Sequence, residues 1–321
     1  MSPRRRALRR ARGGVGAVDA VTLALACALG ACHGGDPAPE PTTARDDGGA
    51  AVAVDAASTA PDGSAPMHVP PAAIDAVVNP MHLPAYAGAT GTVEGTVLVR
   101  GPDAPLTAGI DVHACPAALD TYGHLFRTGP ARGDGARPLA DAIVVVTGYG
   151  GFYLPETREA EEVTIGRRCG YPHRAIAVTF GVPIHIANDS RIPFAPYLEG
   201  APVFAVNIAP PEQKGPPVTL LPFRADHYSL RDQLQPFVSG DVYVLRQPLH
   251  AVSDEAGRFR IDGVPAQKLK VAAQSSAFSG ADVKPIDVPA GGVADVELVL
   301  TYAPADAGPT RPPEGPRRRG P

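Results

Sequence analysis

The chain has 321 residues and a formal net charge of −4, with 37 Pro and 35 Gly against nine Phe, nine Tyr and no Trp. That length supports one or two domains with real cores, but the Pro and Gly content and the scarcity of large aromatics mean that part of the chain does not pack. Residues 1–31 hold six arginines (Arg4, Arg5, Arg6, Arg9, Arg10 and Arg12) against one acid, Asp19, and taking that surplus of five from −4 leaves the rest at about −9; an acidic body lacks the clustered Lys and Arg that neutralise phosphate, which excludes a nucleic-acid partner.

The arginine-rich start runs into an apolar stretch from Ala20 to Ala31. It is shorter than the roughly 20 residues of a spanning helix and is built of small side chains, so residues 1–31 read as a signal peptide. Leu29-Gly30-Ala31-Cys32 resembles the lipobox of bacterial lipoprotein precursors. The resemblance implies that the Cys32 thiol receives diacylglycerol, that cleavage falls before it and that the new amino terminus is acylated. His33 in place of Asp implies sorting to the outer membrane, with the protein facing the periplasm or the cell surface. Several acyl chains, at about 0.8 kcal/mol per buried CH₂, would anchor it stably. Two other readings stand beside this one: Cys27, preceded by Ala24-Leu25-Ala26, as the acylated residue, and an ordinary secretory signal cleaved near Ala31.

With Cys27 in the signal and Cys32 acylated, Cys115 and Cys169 remain as an even pair in an oxidising compartment, where a disulfide is expected. The alternatives are two metal-binding thiolates or a labile redox disulfide.

From residue 32 to 88 the chain is Ala, Pro, Gly, Asp and Thr without a sustained period. Such a segment buries too little apolar surface to offset the entropy of ordering, and reads as a disordered tether with an r.m.s. span of roughly 40 Å. Order is expected from near Gly91. Thr92–Val99 alternates as a strand, Ile110–Ala114 suggests a second, and Leu139–Val146 reads as a buried one. Residues 150–168 look like a solvated excursion. Ile176, Val178 and Phe180, then Val182, Ile184 and Ile186, give the clearest β alternation. A Pro-rich stretch, 193–222, offers apolar continuity only at Val203–Val206. Val242 and Val244, Phe259 and Ile261, Leu269 and Val271, and Val296, Leu298 and Leu300 complete the series. Short strands, turn residues every 8–15 positions and almost no helical period predict an all-β sandwich of Greek-key type, with a disordered tail over 303–321.

Two family resemblances refine this. Gly95-Thr96-Val97, Pro138 through Val145, and Ala251-Val252-Ser253-Asp254-Glu255-Ala256-Gly257-Arg258-Phe259-Arg260-Ile261 through Pro265-Ala266 resemble the carboxypeptidase regulatory-like domains, seven-stranded sandwiches with a carbohydrate-binding-like fold. Asp254 and Gly257 are expected to form a hairpin turn, with Phe259 and Ile261 facing the core. Cys169 with Pro172-His173, the strands to Ile186, Asn188-Asp189, Phe204 with Asn207 and the loop before Val242 follow the order of periplasmic cupredoxins of the methylamine-utilisation, plastocyanin-like type. Together they imply one composite unit over 89–302, cupredoxin-like over about 140–247 and regulatory-like over strands 91–146 and 248–300.

The cupredoxin resemblance implies copper held by Cys-x-x-His-x-x-Met and a second His. Gapless matching through Val242-Tyr243-Val244 to Asp254 puts Asp232 at the thiolate, Gln235 at the imidazole and Val238 at the axial Met; beyond Asn188-Asp189 the expected His is replaced by Arg191-Ile192-Pro193-Phe194. Blue copper needs a soft thiolate and two imidazoles, so the expectation is a degenerate domain with no cofactor. His173, His185, His227 and His250 are the residual candidates for some other metal site, and none shows the spacing that marks zinc. No nucleophile elbow, metalloprotease helix or phosphate loop occurs. The expected function is a non-catalytic, membrane-anchored binding or structural module of the cell envelope, with a glycan or an envelope protein as partner. The other reading is a periplasmic metal-binding or electron-transfer protein with a rebuilt site.

Overall fold

The computed structural model describes residues 68–201 and 207–304. The signal segment, Cys27, Cys32, most of the tether, Val203–Val206 and the tail beyond 304 lie outside the described residues. The elements in chain order are α1 (Pro71–Val78), β1 (Thr90–Arg100), α2 (Leu119–Tyr122), β2 (Arg137–Pro138), β3 (Ile143–Thr147), β4 (Glu161–Ile165), β5 (Ala175–Thr179), β6 (Ile184–Asn188) and β7 (Pro196–Glu199). They continue with β8 (Val218–Leu220), β9 (His227–Asp232), β10 (Gly240–Leu245), β11 (His250–Val252), β12 (Arg258–Pro265), β13 (Lys268–Gln274), β14 (Ala281–Asp287) and β15 (Val293–Thr301).

Among the described residues the strands form four sheets around two apolar cores, an all-β fold of two sandwiches. One sandwich faces β12-β1-β15, with β2 also on β1, against β11-β3-β13-β14; Val93, Val97, Leu139, Val144, Phe259, Val271 and Leu298 fill it. The other faces β4-β6-β8 against β5-β10-β9-β7, around Ile165, Val178, Ile184, Ile186, Phe194, Leu230 and Val242. The second sandwich is inserted in the first: strands β4 to β10 leave after β3, and the chain returns at β11, which pairs antiparallel with β3. Period-2 sequences account for the faces. In β12, Phe259 and Ile261 are buried while Arg258 and Arg260 are exposed. β5 is buried along its whole length, with Ile176 and Val178 in the core and small Ala175 and Ala177 lining the approach to β11.

Close backbone approach explains one glycine of the motif. β1 runs parallel to β15, Gly95 opposite Val296, and a Cβ on Gly95 would lie 1.8 Å from the Val296 carbonyl oxygen. Asp254 and Gly257 build the expected turn: Oδ1 of Asp254 accepts from the N–H groups of Ala256 and Arg258, and Gly257 takes φ +74°. The turn is not a hairpin, however, because β11 and β12 belong to opposite sheets. Buried Ser253 redirects the chain, donating to the Leu139 carbonyl and accepting from the Ala142 N–H.

Three expectations change. Residues 71–78, read as the end of the tether, form α1, because Val69, Ile74, Val77 and Val78 pack on the inserted core. Ile110–Ala114 is not a strand; Pro116 opens a short 3₁₀ turn that leads into α2, and Ile110 and Val112 cover the same core. The charge run of the excursion is not simply solvated, since Glu161 and Glu162 begin β4. The disulfide expectation holds: Cys115 and Cys169 are bonded across 54 residues, fastening the β1–β2 connection to the loop before β5.

Candidate functional site

β9 ends at Asp232, and the loop to β10 carries Gln235 and Val238. Asp232 is 6% exposed. One carboxylate oxygen accepts from the N–H groups of Leu234 and Gln235, at 2.9 and 2.8 Å, and the other from that of Ala195 at 2.8 Å. Burial pushes this carboxyl up, against three donors that favour its ionised form. The Gln235 side-chain amide donates to the Pro193 carbonyl at 2.9 Å. Val238 is 1% exposed, beside Phe237, whose ring meets Phe194 edge-on. On the facing loop Asn188 donates to the carbonyls of Ile192 and Ala209 and accepts from the N–H and hydroxyl of Ser190.

These residues do not fit copper. A carboxylate, an amide and an isopropyl group replace the thiolate, imidazole and thioether that a trigonal copper site uses. Both oxygens of Asp232 and the amide nitrogen of Gln235 are already bonded to backbone groups of two loops, which they join. His227 lies at the other end of β9, roughly 17 Å away at about 3.4 Å per residue.

The remaining polar chemistry gathers where the two sandwiches meet. Asp141, at φ +64°, precedes β3 and accepts two bonds from Arg127 (Nε–H to Oδ2 at 2.7 Å, Nη2–H to Oδ1 at 2.6 Å) and one from the Arg174 backbone N–H at 2.8 Å. Arg127 also donates to the Pro172 carbonyl, and Arg174 to the His124 and Leu125 carbonyls and to Ser239. The Arg174 guanidinium stands 5.9 Å over the Tyr122 ring. Burial lowers the pKa of Arg174, whereas for Arg127 burial is outweighed by the Asp141 bonds, which raise it.

A second cluster lies on the connection into the insert. Arg158 donates to Glu156 and, through Nη2–H at 2.8 Å, to Nε2 of His250. Because a guanidinium only donates, His250 carries its proton on Nδ1. Burial and the neighbouring Arg158 lower the His250 imidazole to about 4. Burial would raise Glu156, but bonds from Arg158 and Thr179 outweigh it and hold the carboxyl at about 2.

The structure brings His173 and His250 to one cleft, and joins His185 to its wall through Glu162 at 2.8 Å. His227 stands apart, donating to Asp241 at 2.7 Å and stacked on Tyr243. Among the described residues, no three His, Cys, Asp or Glu side chains are placed to hold a metal ion. Sequence reasoning missed Arg127, Asp141, Glu156, Arg158 and Arg174. Asp141 left one signal, an acid set between Ala140 and the continuous apolar run of β3.

No family model matches the chain, and no curated protein matches it. Solved structures similar to it are cupredoxins. A reduced amicyanin variant is 20% identical over 32% of this chain and 97% of its own, with a TM-score of 0.24. Amicyanin from Paracoccus versutus is 18% identical over 32% of this chain and 96% of its own, at 0.23. A purple cupredoxin from Nitrosopumilus maritimus is 16% identical over 26% and 98%, at 0.22.

Proposed function

We propose that this chain is a non-catalytic lipoprotein of the outer membrane, acylated at Cys32, in which a copper-free cupredoxin-like sandwich, carried inside a regulatory-like one, serves as a binding or structural module of the cell envelope. The observation that supports it best is the saturated carboxylate of Asp232. In place of a metal, a side chain of hard oxygen atoms holds the β9–β10 loop to the loop before β7 by three N–H bonds. Its partner is a glycan or an envelope protein, and nucleic acid is disfavoured by the acidic body.

Two measurements test this. Purified chain incubated with Cu(II) and desalted is expected to retain no stoichiometric copper and to show no thiolate-to-copper charge-transfer band; a blue, copper-retaining protein would overturn the reading. Growth with radioactive fatty acid is expected to label the wild type and not Cys32→Ala, and label persisting in that variant would remove the anchor from Cys32.

The alternative, a periplasmic metal-binding or electron-transfer protein with a rebuilt site, draws on the shared cleft of His173 and His250. It requires stoichiometric copper or zinc in the purified chain, lost on substitution of either histidine.

A further inference from the structure

The outer sandwich sets two strand edges beside one another. Among the described residues β15 ends the sheet β12-β1-β15, and β14 ends the facing sheet β11-β3-β13-β14. An unpaired edge is a template for a strand of another chain. Here two side chains of β14 bridge the seam to the backbone of β15. Asp282 Oδ2 accepts from the Val299 N–H at 2.8 Å, and Lys284 Nζ donates to the Glu297 carbonyl at 2.5 Å. The carboxylate and the ammonium stand 3.8 Å apart, so each also steadies the other.

Their place on the strand is not that of a surface ion pair. Along β14, residues 281, 283, 285 and 287 are exposed, while Asp282, Lys284 and Ile286 alternate with them on the face turned to the sandwich. Ile286 packs on the core from that face. Two charged residues on the same face are the wrong chemistry for a core, and they reach sideways to β15 instead. Pro285, between them and the strand end, removes a donor from β14 itself, which edge strands tolerate. On β15 the Val296 carbonyl faces β1, close against Gly95, so by alternation the backbone groups of Glu297 and Val299 face the free edge.

Those two groups are the ones a second copy would use. Antiparallel two-fold pairing of β15 with itself, centred on Leu298, sets Val299 opposite Glu297 and Thr301 opposite Asp295, with no like charges opposed. Centring on Glu297 would set that carboxylate against itself. In the Leu298 register each Val299 N–H donates to the Glu297 carbonyl across the two-fold, and these are the donor and the acceptor that Asp282 and Lys284 occupy. We propose that Asp282 and Lys284 are a built-in guard of the β15 edge, holding the places of a partner strand and keeping the chain from pairing with a second copy. The guard is independent of the anchor and of the partner that the module binds.

Sedimentation velocity of the full chain tests it, wild type against Asp282→Ala with Lys284→Ala. The wild type is expected to keep its mass as concentration rises, and the variant to double it. Val299→Pro added to that variant deletes the outward N–H at the centre of the pairing, a change an edge strand accommodates, and should return the variant to the mass of the wild type. Should the double variant lose its native circular dichroism, Lys284→Ala carries the same expectation, since it alone frees the Glu297 carbonyl. In dilute Asp282→Ala, hydrogen exchange at the Val299 amide should quicken at least about tenfold, the loss of one bond to a carboxylate. A folded variant that does not associate, association that survives Val299→Pro, unchanged exchange at Val299, or a wild type already dimeric and dissociated by Val299→Pro overturns the guard.

Discussion

Arg127 and Asp141 meet fork to fork, each 11% exposed, with both carboxylate oxygens engaged by one guanidinium at 2.7 and 2.6 Å. The same carboxylate takes the backbone N–H of Arg174, one residue before β5. The pair therefore ties the first sandwich to the entry of the second. Breaking one partner of a buried ion pair typically costs about 3–5 kcal/mol. Asp141→Asn keeps a side chain that tolerates positive φ and is expected to lose about 2–4 kcal/mol in urea unfolding. A change under about 0.5 kcal/mol, the level of ordinary surface substitutions, would show the pair to be incidental.

Asp232→Asn separates charge from shape. One amide oxygen still accepts from Leu234 and Gln235, but the amide nitrogen then faces the Ala195 N–H, donor against donor. A loss of about 1–3 kcal/mol is expected, with amide exchange quickened at Ala195 in particular. Equal stability with unchanged exchange there would mean that the loops hold without the carboxylate.

Acid should loosen the contact between the sandwiches in two steps. His250 is held at about 4 when folded and lies near its ordinary value of 6.5 when unfolded, so the unfolded chain binds more protons between those values and stability falls as pH drops through that window. Glu156, held at about 2 against an ordinary 4.5, adds a loss of the same sign from 4.5 downwards. Glu161 runs the other way, since its raised carboxyl is relieved by protonation. After allowance for this coupling, the His250 step is worth on the order of 1–2 kcal/mol. Urea midpoints from pH 7 to 4 measure it, and His250→Gln should flatten the slope between 6.5 and 4.

Gly95→Ala places a methyl group where the Val296 carbonyl already stands. β1 and β15 must part or shift, and a loss above about 3 kcal/mol or failure to fold is expected. Circular dichroism and thermal unfolding of the purified variant decide between a shift and a rupture.

Reduction of Cys115–Cys169 releases a 54-residue loop. In the chain-entropy model that is worth about 4 kcal/mol. Cys115→Ser with Cys169→Ser should lower the free energy of urea unfolding by that amount, with a steeper slope, since the unlinked unfolded chain exposes more surface.

Strand pattern and turn chemistry were legible in the sequence because they are local. Phe259 and Ile261, Ile184 and Ile186, and the Asp254–Gly257 turn follow from alternation and from side chains that bond their own backbone. What stayed hidden depends on distant partners. Glu156 and Arg158 look like solvated charges until His250, 92 residues beyond Arg158, closes over them. Residues 71–78 look like tether because eight residues, half of them Pro and Ala, are too short to show a period, and only the inserted core gives Ile74 and Val77 something to cover.

The nesting of one sandwich in the other implies an expected order of assembly. The Val146 N–H donates to the Leu249 carbonyl at 3.0 Å, so the two ends of the insert stand side by side. For an unfolded chain, joining β3 to β11 means closing a loop of about a hundred residues, with an entropy cost that grows as the logarithm of its length. Once β4 to β10 have collapsed on their own core, the same closure spans only two short connections. Collapse of the insert is thus expected to precede closure of the outer fold, so that in stopped-flow kinetics substitutions in the inner core slow folding of the whole chain, while those in the outer core mainly hasten its unfolding.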